Sequence, residues 1–279
     1  MILRNYIDTI MTLLGGCGFH FPYKNNKCYN VIGREMKKLD VDTFKTLIDN
    51  SDNIVFFGGA GVSTESNIPD FRSANGLYNE KQKSIYTPEE ILSHSFFMKH
   101  TDEFYKYYKS KMIYKDAKPN PAHIALAELE KAGKLKAVIT QNIDGLHQMA
   151  GSKNVLELHG SVHRNYCMKC GSFYDLDYII ESDGIPLCQK CNGIVKPDVV
   201  LYEEALDSQV LETAVNYIMD SDVFIIGGTS LSVYPSAGLV NYYRGNKLVL
   251  INKTKTPYDY KANYVYYGNI GELFSKLIG

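Results

Sequence analysis

Short, continuous apolar runs alternate with helix-like spacing along most of the chain. The apolar runs occupy 53–57, 137–140, 223–228 and 247–251, and helical patterns precede them at 42–50, 121–132, 208–219 and near 237–244. A short apolar run without alternation is typical of a strand that is buried on both faces. Strands that alternate with helices predict a parallel sheet covered by helices on both sides.

The first apolar run leads into four residues, Gly58 to Gly61, of which three are glycine. A buried strand that runs into glycines opening a helix is the first unit of a doubly wound sheet, where the backbone can approach a pyrophosphate. Glycine after a strand is often only a tight turn, so this motif is weak alone. Together with the alternation, it predicts an α/β fold with a Rossmann-like parallel sheet.

Two segments interrupt the alternation. Residues 79–118 are rich in helical patterns, and residues 166–195 contain four cysteines. The sequence predicts that these insertions pack together as a smaller domain, and that a ligand cleft separates it from the sheet. The predicted Rossmann-like domain comprises 36–78, 119–165 and 196–279.

The four cysteines form two Cys-x-x-Cys pairs, Cys167 with Cys170 and Cys188 with Cys191, separated by 17 residues. This spacing is typical of a ribbon in which four thiolates bind one Zn²⁺ in a tetrahedron. A closed site of four thiolates has no open coordination position, so we expect one structural zinc and no catalytic one. The alternative interpretation is two disulfides or four unrelated thiols.

The 279 residues carry a formal charge of −1, with 45% hydrophobic and 22% charged residues. This composition is that of an ordinary globular protein and lacks the basic balance that nucleic-acid binding needs. We therefore expect no direct contact with nucleic acid. Because no apolar run reaches the ~18–20 residues that span a bilayer, we also expect no membrane segment.

Residues 1–35 show no clear periodicity. We expect an N-terminal extension here, whose order the pattern does not fix, and we expect Met36 to be the natural start. Asp8 interrupts the apolar stretch that a signal peptide would need, so we expect no export. Six cysteines are few for a secreted disulfide scaffold of this length, which favours a reducing, cytoplasmic location.

An unusual loop follows the glycines, with the sequence Ile-Pro-Asp-Phe-Arg-Ser at 68–73. An acid, an aromatic and a guanidinium in succession favour a functional loop, since ligand-binding groups cluster in loops above a rigid sheet. The alternative is a solvated pair of Asp70 and Arg72 on either side of a buried Phe71.

Polar side chains also follow the second apolar run, at Gln141, Asn142 and Asp144. Amide side chains at a strand end can bond ribose hydroxyls or a carboxamide. The alternative is that Asn and Asp cap the next helix. That explanation suits Asp144 alone but explains the three residues poorly.

His159 follows a predicted strand at 155–158 and precedes Gly160. A lone histidine is more often a structural residue than a catalytic one. Its unperturbed pKa of about 6.5 nevertheless suits a general base near neutrality. We take His159 as the candidate base, with His147 and His163 as reserves.

From about Met36 to Gly279 the chain resembles a sirtuin, an NAD⁺-dependent protein lysine deacylase. The resemblance rests on the four cysteines and on the motifs at 59–63, 68–73, 140–145, 159–160, 228–231, 233–235 and 251–254. It implies removal of acetyl and other uncharged acyl groups from acetylated proteins or peptides. NAD⁺ would be consumed, and nicotinamide, O-acetyl-ADP-ribose and free lysine would be released. We expect a monomer.

The resemblance also implies a role for each site residue. The residues that would contact NAD are Ala60, Gly61, Ser63, Thr64, Asp70, Phe71, Arg72, Gln141, Ile143, Asp144, Thr229, Ser230, Asn252 and Ile270. His159 would take a proton from a ribose hydroxyl, and Asn142 would order the ribose and its water. The acyl-lysine would thread a tunnel involving Phe71, Val200 and Tyr202. The peptide that carries the acyl-lysine would add as a strand between the segments 199–202 and 232–233. Val233, in the second of these segments, would thus contact the peptide.

Two departures from the family pattern bear on specificity. Many sirtuins read Phe-Gly-Glu where this chain reads Tyr202-Glu203-Glu204, so the tunnel gains a hydroxyl and the loop loses a glycine. Members that favour acidic acyl groups resemble one another in a Tyr-x-x-Arg pair. The corresponding stretch here reads Tyr105-Lys106-Tyr107-Tyr108, so a tyrosine stands in place of the arginine. Without a guanidinium to pair with a distal carboxylate, we expect succinyl-lysine to be a poor substrate.

Three other functions are weighed against deacylation. A mono-ADP-ribosyltransferase would use the same cleavage of NAD⁺ with another acceptor. A non-catalytic NAD sensor or zinc-ribbon adaptor would need no base, so His159 together with Asn142 argues against it. A dehydrogenase would usually carry an acid about 20 positions after the glycines. Glu80 falls near that distance, but the intervening 69–72 does not resemble a helix or a strand.

Overall fold

The computed structural model describes residues 37–71, 76 and 85–277. The predicted extension at 1–35 and the predicted cofactor residue Arg72 lie outside the described residues. Strands and helices are numbered separately along the chain. No helix in the described part is long and apolar enough to cross a membrane.

Seven parallel strands form the main sheet. They are β1 Lys37–Lys38, β2 Ile54–Gly58, β3 Leu135–Thr140, β4 Val155–Glu157, β8 Val223–Gly227, β9 Leu248–Asn252 and β10 Tyr264–Tyr267. Their order across the sheet is β1-β10-β9-β8-β2-β3-β4. The run from β4 to β10 reproduces the strand order of dinucleotide-binding sheets, with β2 as the first strand and β8 as the fourth. The predicted Rossmann-like fold is confirmed.

Helices cover both faces of this sheet, as expected for parallel strands. The helices of the described chain are α1 Val41–Asp49, α2 Pro88–Ile91, α3 His94–Lys99, α4 Thr101–Lys111, α5 Pro121–Lys131, α6 Leu146–Ala150, α7 Leu176–Glu181, α8 Ser208–Asp220 and α9 Ile270–Ser275. One face packs Phe56 and Ile225 against α1, α5 and α9, and the other packs Phe57 and Ile226 against α8. All residues of β2 and β8 are buried, which explains why their sequences show no alternation.

Helix starts follow local side-chain chemistry. Asp40 accepts a hydrogen bond from the Thr43 amide at the start of α1, and Asp207 accepts two at the start of α8. Asn120 caps α5, where Pro121 occupies the first helical position. Each cap satisfies amide groups that have no partner within the helix.

Two predicted helices take another form. The helix predicted near 237–244 is present as a 3₁₀ helix, Ser236–Tyr242, which follows Pro235. Gly238 lowers α-helical propensity there, and 3₁₀ turns are common as connectors. The glycines after β2 open two short 3₁₀ turns, Ala60–Val62 and Thr64–Ser66, instead of one helix.

The two insertions build a second layer around one core. A three-stranded antiparallel sheet has the order β6-β5-β7, with β5 Gly160–Cys167, β6 Phe173–Tyr174 and β7 Val195–Val199. Its side chains share a core with α2 to α4, in which Phe97, Phe104, Ile179 and Val195 are fully buried. This shared core explains how segments distant in sequence form one unit. Their boundaries, 79–118 and 166–195, stay a prediction.

Candidate functional site

The loops after β2 and β8 cross at the carboxyl ends of these neighbouring strands. The amide of Gly61 donates to the carbonyl of Gly228 over 2.7 Å. A Cβ atom on Gly61 would lie 2.7 Å from that same oxygen, and Gly228 has a φ of +61°. Only glycine fits this approach at both positions. We call the contact between Gly61 and Gly228 the glycine crossing. In doubly wound sheets, ligands bind in the crevice where the chain crosses between such strands.

A cavity of about 1030 Å³ opens at this crossing and continues to the small domain. Every predicted cofactor, catalytic and substrate residue that the structure describes lines it. These residues are Ala60, Gly61, Ser63, Thr64, Asp70, Phe71, Gln141, Asn142, Ile143, Asp144, His159, Val200, Tyr202, Thr229, Ser230, Val233, Asn252 and Ile270. Arg72 lies outside the described residues. Residues from nine separate stretches of sequence therefore share one cavity.

The imidazole of His159 has a defined tautomer. Its Nδ1 lies 3.0 Å from the main-chain carbonyl oxygen of Gln141. Because a carbonyl oxygen only accepts, Nδ1 carries the proton and Nε2 has a free lone pair when the ring is neutral. Burial lowers the pKa of His159, and the hydrogen bond to Gln141 opposes this only in part. The ring is therefore a neutral base at physiological pH.

Gln141 connects three parts of the site. Its side-chain oxygen accepts a hydrogen bond from Thr229 Oγ1 at 3.1 Å, and its amide nitrogen donates to Ser236 Oγ at 2.7 Å. Its carbonyl simultaneously orients His159. One residue at the end of β3 thus ties the loop after β8 to the histidine.

A chain of hydrogen bonds runs from Asn142 to Asp144 through Ser63. Asn142 Nδ2 donates to Ser63 Oγ at 3.0 Å, and Ser63 Oγ donates to Asp144 Oδ2 at 2.6 Å. The other carboxylate oxygen of Asp144 accepts from the Leu146 amide at 2.9 Å. Burial raises the pKa of Asp144, and the Ser63 hydroxyl works against that rise. Such linked polar groups are rigid, so the amide and the carboxylate present fixed faces to a ligand.

The two reserve histidines lie in different environments. His163 lines the cavity, with Nε2 3.2 Å from the carbonyl oxygen of Asp144. His147 lies on α6 as predicted but is buried against His123, with ring centroids 4.7 Å apart. Neither ring nitrogen of His147 has a hydrogen-bond partner within the described chain. His147 is thus a core residue.

Sequence reasoning missed the apolar end of the cavity. Leu92, Tyr108, Met112, Leu201 and Leu206 also line it. Tyr108 and Met112 are four positions apart on the same face as Phe104, and this spacing is the signal that could have been read. Because Tyr108 lies on α4, this helix of the small domain contributes to the site.

The Tyr105 and Tyr108 side chains differ in their bonding. The Tyr105 hydroxyl donates to the carbonyl of Val195, whereas the buried Tyr108 hydroxyl has no hydrogen-bond partner among the described residues. Lys115, which also lines the cavity, is paired with Asp177 at 2.6 Å.

The four cysteine sulfurs fit a tetrahedral metal site. All four lie within 4.8 Å of one another, and the Cys167–Cys191 and Cys170–Cys188 sulfur pairs are each 3.5 Å apart. Four sulfurs bound to one zinc at about 2.3 Å would be about 3.8 Å apart. None of the four is in a disulfide. The Tyr174 hydroxyl donates to Cys188 Sγ at 3.2 Å, which favours a thiolate ligand there.

Fold and site together define a dinucleotide-binding α/β protein with a zinc ribbon. The model of the Sir2 family matches residues 59–235, more than half of the chain. An NAD-dependent protein deacetylase of Clostridium perfringens strain 13 is 63% identical over 239 residues, which are 85% of this chain and 98% of that protein. The chain therefore belongs to the Sir2 family. This confirms the resemblance to sirtuins.

Solved structures agree with this assignment. One is a Sir2 variant with a deacetylated p53 peptide and 3'-O-acetyl ADP ribose, at 38% identity and a TM-score of 0.79, covering 86% of this chain and 98% of that one. Another is a complex of a Sir2 homologue with NAD, at 37% identity and a TM-score of 0.79, covering 87% of this chain and 94% of that one.

Proposed function

We propose that this chain is an NAD⁺-dependent protein lysine deacetylase. It removes acetyl and other uncharged acyl groups from protein lysines and releases nicotinamide, O-acetyl-ADP-ribose and free lysine. The observation that carries the proposal is that the neutral imidazole of His159 lines the same cavity as the glycine crossing. Relatives named as NAD-dependent protein deacetylases support it.

NAD⁺ acts as a co-substrate whose cleavage supplies the acceptor for the acyl group. The loop from Ala60 to Thr64 would hold its phosphates, because this loop lines the cavity and its glycine lets a pyrophosphate approach the backbone closely. Asn252 and Ile270, which also line the cavity, would contact the adenosine half. Ile143 and Asp144 would hold the carboxamide of nicotinamide.

His159 would act as the general base through its free Nε2. With Nδ1 bonded to Gln141, the lone pair can accept a proton from a ribose hydroxyl, which becomes the nucleophile. Asn142, fixed by Ser63, would order that ribose and its water. Phe71 would shield the nicotinamide pocket and, with Val200 and Tyr202, surround the acyl-lysine.

The peptide around the acyl-lysine would bind as an added strand between 199–202 and 232–233. Main-chain bonds give affinity without requiring one sequence. The Val200 amide donates to the main-chain carbonyl of His159 over 3.0 Å. The segment 199–202, which would pair with the peptide, is therefore directly connected to the base. This connection supports placing the acyl group beside the histidine.

We further propose a monomer in a reducing, cytoplasmic compartment. One chain supplies all the residues of the site described above, so no second copy is needed to complete it. The four clustered cysteines carry no disulfide, which suits a reducing environment.

A test is to incubate an acetylated peptide with and without NAD⁺ and to identify all products by mass spectrometry. Deacetylation that depends on NAD⁺, with equal amounts of nicotinamide and O-acetyl-ADP-ribose, is the expected result. Transfer of ADP-ribose to the peptide or protein would indicate a mono-ADP-ribosyltransferase instead. No turnover of NAD⁺ with a folded, zinc-loaded protein would indicate a non-catalytic adaptor.

A further inference from the structure

The loop after the peptide-binding segment holds a residue in an unusual backbone conformation. Glu203 has a φ of +75°, in the left-handed region that favours glycine. A side chain at such a position is strained, and strain of this kind is kept where the surrounding structure compensates for it. Its neighbours show what that compensation is.

Both carboxylate oxygens of Glu203 bind the start of α3. The Ser95 amide donates to Oε2 at 2.9 Å, and Ser95 Oγ donates to Oε1 at 3.0 Å. An anion at the first turn of a helix satisfies a free amide and interacts well with the helix dipole. The strained loop is therefore tied to the helical insertion by the side chain that causes the strain.

Further bonds connect the same two segments. The Tyr202 amide donates to the Leu92 carbonyl at 3.0 Å, and the His94 amide donates to the Tyr202 carbonyl at 2.9 Å. Glu204 binds His94 Nδ1 at 2.9 Å and accepts from Lys196 Nζ at 3.1 Å. We call the contacts of 92–95 with 202–204 the loop clasp.

The loop clasp lies at one end of the segment that would pair with the peptide. At the other end, the Val200 amide is bonded to the carbonyl of His159. Movement at Tyr202 would thus change the distance between the acyl group and the base, and small misplacements have large effects on reaction rates.

We propose that Glu203 is a positioning residue that holds the segment 199–202 in register for the acylated peptide. The inference rests on the proposed function. The carboxylate of Glu203 binds Ser95, which a glycine at this position could not do. A glycine would only relieve the backbone strain. Glu203 would act on the peptide side of the site, away from the NAD⁺ side.

The test compares KM for an acetylated peptide with KM for NAD⁺ in Glu203→Ala, Glu203→Gly and Glu203→Gln. Loss of the two bonds to Ser95 predicts a peptide KM about five- to tenfold higher for the alanine and glycine variants. We expect KM for NAD⁺ to change less than about twofold, because these bonds lie on the peptide side. Glutamine keeps an oxygen that can accept from the Ser95 amide, so it should restore most of the peptide affinity.

Glu212→Ala is the matched control, since Glu212 is exposed on α8 and does not line the cavity. Ser95→Ala should raise the peptide KM in the same direction, and combining it with Glu203→Ala should add little. An unchanged peptide KM in the glycine variant would overturn the inference, as would equal rises in both KM values. A wild-type protein without NAD⁺-dependent deacetylation would refute the proposed function instead.

Discussion

His159 donates a hydrogen bond from Nδ1 to the main-chain carbonyl of Gln141, 3.0 Å away. This single contact fixes the orientation of the ring and leaves Nε2 as the free basic atom. Gln141 in turn is held by Thr229 and Ser236 on the neighbouring loop. The proposed base is therefore positioned by the end of β3 and by the loop after β8.

The pH dependence of the reaction should reflect the lowered pKa of His159. Burial disfavours the charged imidazolium, so the neutral form persists below the ordinary value of 6.5. Activity should fall as the pH drops through the pKa in the folded enzyme. We expect the acid limb of kcat/KM to have its midpoint below 6.5, with circular dichroism used to show that the fold persists. A midpoint above 6.5 would contradict this assignment.

Replacing Ser63 by alanine should disturb the cofactor side of the site. The change removes the donor to Asp144 and the acceptor for Asn142, and an unsatisfied buried polar group costs about 1–3 kcal/mol. We expect a loss of about 1–3 kcal/mol in the free energy of unfolding, measured in urea, and a higher KM for NAD⁺.

The control for Ser63→Ala is Ser152→Ala. Ser152 is also buried, but its hydroxyl has no hydrogen-bond partner in the part of the chain described here, and it does not line the cavity. Its replacement should leave KM for NAD⁺ unchanged. Equal effects of the two substitutions on that KM would argue against a role for Ser63 in binding.

Removal of zinc should unfold the ribbon and abolish deacetylation. Structural zinc contributes directly to folding, and β5 carries residues that connect the ribbon to the cavity. We expect one zinc per chain by elemental analysis, a lower Tm after chelation, and no bound zinc in Cys188→Ser. Lys169→Ala, between two ligands, should keep its metal. Full activity in zinc-free protein would contradict a structural role.

An acetylated peptide should be a better substrate than its succinylated counterpart. Tyr108 offers a neutral hydroxyl, Tyr105 is bonded to Val195, and Lys115 is paired with Asp177. A distal carboxylate would lose its water without gaining a bidentate partner. Comparison of kcat/KM for the two peptides tests this expectation. A higher kcat/KM for the succinylated peptide would contradict it. That result would implicate Lys111, which also lines the cavity, as the cation that binds the distal carboxylate.

The main sheet could be predicted because its central strands are buried on both faces. The apolar runs at 53–57 and 223–228 correspond to β2 and β8. β10 was missed, since only one of its four residues is buried and its tyrosines form no apolar run. A helix was predicted at Ser236–Tyr242, but its 3₁₀ form was not, because its apolar spacing resembles that of an α-helix.

The polar part of the site was predictable, because its side chains directly follow strands whose carboxyl ends meet. The contacts among them were not. That Gln141 orients His159 through a carbonyl depends on the positions of β3 and β4, which no local pattern encodes. The conformation of Glu203 was likewise inaccessible, since its partner Ser95 lies 108 positions away.

The most direct test of the account is NAD⁺-dependent deacetylation by His159→Ala, compared with wild type and His163→Ala. A general base typically contributes about 10²- to 10⁴-fold, so kcat should fall by at least about 100-fold in His159→Ala. His163→Ala should lose far less, because Nε2 of His163 is already engaged with the Asp144 carbonyl oxygen. Undiminished deacetylation by folded, zinc-loaded His159→Ala would contradict the central claim.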